Sequence, residues 1–213
     1  MEAGTAPASG TSSKTMADLA ALAATKYGDA PALRHKVGDE WQDVSYSELG
    51  TAVSEIGRGM LDLGLAHGDK VSILCHTRPE WTYANLAILA AGTVSVSIYP
   101  TNSAEECHYV LSHSESKAVF VEDAEQLAKV REVQGDLPDL EHIVIVDPSG
   151  DVGDAVALAD LRERGAARDA TELEARSEAV TKDDICITIY TSGTTGPPKG
   201  CLISHGNYRD VTP

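Results

Sequence analysis

Short apolar, β-branched runs alternate along this chain with longer stretches whose apolar residues recur every three or four positions. The runs at 70–75, 93–98, 118–121, 143–146 and 185–190 read as buried strands. Between them the helical spacing is sharpest over 45–63, where Leu49, Val53, Ile56, Met60 and Leu63 form one stripe. Ser45 and Glu48 make a capping box at its start, Val44 and Leu49 a hydrophobic staple, and Gly64 stands at C′. Thr77 and Glu80 suggest a second capping box with Pro79 in the first turn, on a helix that carries Trp81 and Tyr83 as packing residues. Ser103 and Glu106 cap a helix to about residue 112, and another is expected over 122–134. This rhythm predicts an α/β fold in which parallel strands carry helices on both faces.

The flanks are less regular. Met16, Leu19, Leu22 and Ala23 fall at helical spacing, and segments 32–36 and 40–44 around Val37-Gly38-Asp39 predict a hairpin. Residues 154–179 read as short charged helices, more mobile than the sheet. Residues 1–15, rich in Ala, Gly, Ser and Thr and without an apolar core segment, predict a loose tail and no signal peptide. The longest apolar stretch, 84–98, is too short and too interrupted to span a bilayer. No repeat of solenoid period is visible.

Composition narrows the function classes. With 42% apolar residues in 213, a real core is within reach. The 33 acidic and 17 basic residues give a net charge of −16, which argues against a nucleic-acid or anionic-membrane partner. Cys75, Cys107, Cys186 and Cys201 show neither a C-x-x-C pair nor zinc spacing, so reduced thiols in a cytoplasmic protein are expected. Cys107, His108 and His113 do not share a helix face and are discounted as a metal set.

The chemistry concentrates in Tyr190-Thr-Ser-Gly-Thr-Thr-Gly-Pro-Pro-Lys-Gly200. Hydroxyls on Thr191, Ser192, Thr194 and Thr195 alternate with Gly193, Gly196 and Gly200, and Lys199 closes the run. Glycines let backbone N–H groups approach an anion, hydroxyls donate hydrogen bonds and the lysine adds charge, so the segment is suited to phosphate oxygens. It leaves the end of an expected strand, where open α/β sheets bind ligands. It is not a Walker A loop, because Pro197 and Pro198 precede Lys199 and glycine follows it; the prolines also disfavour an immediate helix. A flexible polar surface loop is the plain alternative. Nearby His205, with Asn207, is read as orienting the segment or lining a substrate in preference to acting as a base, and Asn207 as an N-cap.

On these residues the chain resembles the AMP-forming adenylating superfamily of acyl-CoA synthetases, luciferases and peptide-synthetase adenylation domains. Ser204-His-Gly-Asn207 resembles its His-x-Asn segment and Cys201-Leu-Ile203 the short strand before it. Cys75-His-Thr-Arg-Pro-Glu-Trp81 and Ile98-Tyr-Pro-Thr-Asn-Ser103 resemble the long-chain fatty acyl-CoA synthetase branch, although His76 stands where that branch usually has Asn. The resemblance implies that 16–213 is the N-terminal portion of the large adenylating-enzyme domain, too incomplete to turn over alone. It further implies ATP, Mg²⁺ and coenzyme A as cofactor and co-substrates, with a long-chain fatty acid as the acid. Thr191 would contact Mg²⁺ or phosphate; Ser192, Gly193, Thr194, Thr195 and Gly196 would wrap the β- and γ-phosphates; Lys199 would add charge at the leaving group. Thr191 and Lys199 are therefore the expected catalytic pair. Small-molecule substrates are the expected partners, peripheral membrane contact is compatible, and a non-catalytic nucleotide-binding or interaction module is the alternative.

Overall fold

The computed structural model describes residues 11–191 and 197–210. An entry module comes first: α1 (Leu19–Tyr27), then β1 (Pro31–Val37) and β2 (Glu40–Ser45), which pair only with each other as an antiparallel hairpin. Next come α2 (Tyr46–Asp62), β3 (Lys70–Leu74), α3 (Pro79–Ala90), β4 (Val94–Ile98), α4 (Ala104–Ser114), β5 (Ser116–Val121), α5 (Ala124–Val133) and β6 (His142–Ile145). The chain continues through β7 (Val156–Ala157), α6 (Leu158–Ala167), α7 (Thr171–Ala179), β8 (Ile185–Thr191), β9 (Lys199–Ser204) and α8 (His205–Asp210).

The main sheet has the order β7-β6-β5-β3-β4-β8-β9. Every pairing in it is parallel except β8 with β9. The expected parallel sheet is therefore found, and its last strand is a correction: β9 returns alongside β8. Two prolines ahead of Lys199 block a helix there, so the chain turns back as an edge strand.

Period-2 alternation divides the interior. Val71 and Ile73 of β3, Ala118 and Phe120 of β5 and Val144 of β6 pack with α2, α3 and α6. Leu74, Val119, Val121, Ile143 and Ile145 point the other way, onto Cys107, Val110 and Leu111 of α4 and Leu127 and Val130 of α5. The charged stretch 154–179 contributes more to the core than its composition suggests, because Leu158, Leu161 and Leu173 join the α2 face.

Local signals succeed where they are self-contained. Both halves of the Ser45/Glu48 and Ser103/Glu106 capping boxes are formed. The Thr77 box is not: Arg78 is the N-cap of α3, with no side-chain cap, and its guanidinium goes to Glu80 instead. Asn207 is not an N-cap either. Ser204 precedes α8, and its N–H and hydroxyl exchange hydrogen bonds with the Asn207 side chain and backbone N–H. Of the expected loose tail, residues 1–10 lie outside the described residues, while Thr15 is buried and Ser13 hydrogen-bonds Asp18 at 2.6 Å.

Candidate functional site

β8 enters the sheet beside β4 and ends at the carboxyl edge of the parallel strands. The antiparallel ladder with β9 then pairs Thr191 with Lys199 and Tyr190 with Gly200. Directly opposed residues share a sheet face, so Thr191 and Lys199 project together from one side and Tyr190 from the other. The connection between them holds Ser192, Gly193, Thr194, Thr195 and Gly196, which lie outside the described residues. The strand register thus sets Thr191, the expected Mg²⁺ or phosphate contact, directly opposite Lys199, the expected source of charge.

On their shared face both side chains are exposed. Among the described residues no carboxylate forms an ion pair with Lys199, which leaves its charge available to an anion. Exposed Cys201 lies on the same face, its Sγ 3.9 Å from Thr191 Oγ1. The other thiols are buried and withdrawn from reaction: burial pushes Cys75 up to about 12 and Cys107 and Cys186 to about 11.

Behind the ladder is an aromatic set that sequence reasoning missed. The Tyr190 hydroxyl is 2.8 Å from His113 Nδ1, and the Tyr109 hydroxyl donates to the Pro198 carbonyl at 2.8 Å. Tyr109 and His113 are four residues apart on α4, a spacing that shares a helix face and was the available signal. Burial, then the neighbouring Tyr109, pushes the Tyr190 phenol above its ordinary range, so it remains a neutral hydrogen-bonding group. A cleft of about 410 Å³ opens alongside, lined by Tyr99, Asn102, Glu106, Tyr109, Tyr190 and Pro198.

A second polar cluster sits where β3 and β5 send their connections to opposite faces of the sheet, the crevice position of open α/β folds. Arg78, after β3, binds Asp147, after β6, and Glu80, and reaches Glu122, after β5, at 3.4 Å. Glu122 also accepts from the His76 backbone N–H at 2.9 Å and lies 2.6 Å from its ring Nδ1. These partners occupy Arg78 with carboxylates, so the cluster ties three strand ends together. His205 is also structural: it is 1% exposed, and its Nδ1 accepts from the Met16 N–H at 3.1 Å. No group of three or more His, Cys, Asp or Glu suited to a metal exists among the described residues.

A family model described as "AMP-binding enzyme" matches residues 21–212. The chain is 40% identical over 167 residues to the long-chain-fatty-acid–CoA ligase FadD15 of Mycobacterium bovis, covering 78% of this chain and 27% of that protein. It is 35% identical over 184 residues to the long-chain-fatty-acid–CoA ligase ACSBG2 of Xenopus laevis, covering 85% and 25%. It spans about a quarter of the length of these relatives. Among solved structures, the anthranilate CoA ligase AuaEII in complex with anthranoyl-AMP superposes with a TM-score of 0.79 at 25% identity, covering 98% of this chain and 37% of that one. A fatty acyl-adenylate ligase from L. pneumophila shares the fold with a TM-score of 0.71 at 22% identity, covering 93% and 32%. With 21–212 matched by the family model and the strand-to-strand connection of β8 and β9 carrying its hydroxyl, glycine and lysine pattern, the chain belongs to the AMP-binding enzyme family.

Proposed function

We propose that this chain supplies the phosphate-holding part of an AMP-forming ligase that activates a long-chain fatty acid with ATP and transfers it to coenzyme A. The carboxylate would attack the α-phosphorus and expel pyrophosphate, leaving an acyl-adenylate. The thiol of coenzyme A would then attack the acyl carbon and release AMP. The observation that carries the reading is the pairing of Thr191 with Lys199 at the carboxyl edge of the parallel sheet. It sets a hydroxyl and an ammonium, the latter without an ion pair among the described residues, on one face of the sheet at its carboxyl edge, where they could neutralise charge developing on a leaving pyrophosphate.

Ser192, Gly193, Thr194, Thr195 and Gly196 are assigned to the β- and γ-phosphates by residue type. Mg²⁺ is commonly held by substrate phosphates with only one or two protein oxygens, which suits an exposed Thr191 hydroxyl with no carboxylate cage among the described residues. When bound, it would neutralise phosphate charge. The fatty-acid assignment follows the names of the relatives, and the cytoplasmic assignment follows the buried free thiols. No described helix is long and apolar enough to cross a membrane.

The test uses a polypeptide extended to the relatives' length. Thr191→Ala and Lys199→Ala should each slow ATP–pyrophosphate exchange by more than about tenfold, the usual effect of losing a transition-state donor. Wild-type rates in both variants would remove the assignment. Nucleotide binding by the extended wild type with no exchange would point to a binding module instead.

A further inference from the structure

We infer that Tyr109 and His113 are positioning residues that grip both ends of the β8–β9 connection from behind; the inference rests on the phosphate-holding role proposed above. One end is held through Tyr190, whose hydroxyl is hydrogen-bonded to His113 at 2.8 Å. The other is held through Pro198, whose carbonyl accepts from Tyr109 at 2.8 Å. Pro198 immediately precedes Lys199, which pairs with Thr191 in the ladder, so the Tyr109 hydroxyl holds the chain at the start of β9.

The rings lock the arrangement. Tyr109 and His113 stack at 5.5 Å with 25° between planes, and both meet the edge-on Tyr190 ring, at 6.2 and 5.7 Å. The helix that carries them is itself fixed. Its N-terminus has both halves of a capping box, and Cys107, Val110 and Leu111 are buried against the sheet. A rigid helix therefore sets the separation and direction of the two chain ends from which Thr191 and Lys199 project on the opposite face. Ends fixed before the anion arrives reduce the ordering entropy of binding and keep charged donors preorganised.

The experiment uses the same polypeptide extended to the relatives' length and inorganic pyrophosphate with Mg²⁺ as the probe, followed by amide NMR. Tyr109→Phe keeps the ring stack and removes only the hydroxyl; His113→Phe keeps a ring and removes the hydrogen bond to Tyr190; His113→Asn restores a polar group near the Nδ1 position. Both Phe variants should speed amide exchange at Lys199 and Gly200 and weaken pyrophosphate binding by about three- to tenfold, the equivalent of one neutral hydrogen bond. Their thermal midpoints should move by less than about 3 °C. His113→Asn should recover most of the affinity. A wild type that binds while Tyr109→Phe and His113→Phe bind equally well overturns the positioning role and leaves the phosphate-holding reading intact. A wild type that takes up no pyrophosphate overturns the phosphate-holding reading itself, and the positioning role with it.

Discussion

Gly165 of α6 lies so close to Glu55 of α2 that a Cβ added there would fall inside the van der Waals sphere of the Glu55 carbonyl oxygen, and within 2.7 Å of the Gly59 nitrogen. Gly59 returns the relationship, since a Cβ on it would stand 2.8 Å from Leu161 Cγ. Backbone thus meets backbone where the two helices cross. Leu161, fully buried, fills the space beside the crossing, and the Arg162–Glu55 ion pair closes its edge.

Gly165→Ala should therefore destabilise the chain by at least about 3 kcal/mol, because neither helix can yield without opening the core that α2 shares with the sheet. Urea unfolding followed by circular dichroism measures it. An alanine variant as stable as wild type would mean that the helices do not cross this closely. At Gly64 the argument is conformational instead: its φ of +87° suits glycine, and nothing lies within 4 Å of an added Cβ.

Acid should weaken the fold in two stages with separate causes. Burial lowers the His205 pKa below its ordinary 6.5, against the opposing pull of Asp184 and Asp18, so the native state favours the neutral ring that accepts from Met16. The unfolded chain then binds the proton first, and stability falls as pH drops from about 6.5 downward. For Glu122, burial raises the pKa, but hydrogen bonds from His76 and the charge of Arg78 outweigh it and hold the carboxyl below 4.5. Its contribution is complete above that pH and is lost as pH falls through the lower native value. Glu122→Gln should lower stability at pH 7 by about 1–2 kcal/mol and flatten the acid limb below 4.5. His205→Gln should flatten the limb that begins near 6.5. Urea midpoints taken from pH 8 to pH 3 separate the two; limbs unchanged in both variants would refute the assignment.

The sequence showed whatever a few neighbouring residues encode. Capping boxes at Ser45 and Ser103 depend on residues three apart, and the apolar stripe of α2 on spacing alone, so both were readable. The hydroxyl–glycine–lysine pattern was readable for the same reason, although the opposition of Thr191 and Lys199 across the ladder was not. Features that join distant positions were not. Nothing local says that β9 runs back along β8, because an edge strand of mixed exposure looks like many loops. Arg78 resembled part of a capped helix start, yet its partners Glu122 and Asp147 lie 44 and 69 residues away. The grip of Tyr109 on Pro198 spans 89 residues, and only the shared helix face of Tyr109 and His113 hinted at it.

Gly200 offers the most direct check on the site geometry. It pairs with Tyr190 across the ladder, and a Cβ there would come 3.1 Å from Thr188 Cγ2 and 3.4 Å from Tyr190 Cζ. Those distances leave little room, so the missing side chain lets the Tyr190 ring lie over β9 and reach His113. Alanine asks the ring to shift by a few tenths of an ångström, and valine asks for more than the packed set of Tyr109, His113 and Tyr190 can give. Gly200→Val should then cost about 1–3 kcal/mol in stability. It should also disturb the Tyr190 and His113 ring signals in the NMR spectrum, because the ring it displaces is the one hydrogen-bonded to His113. Gly200→Ala should show a smaller ring shift with stability close to wild type. If valine leaves both ring signals in place, Tyr190 does not lie over Gly200, and the register that brings Thr191 opposite Lys199 is wrong as well.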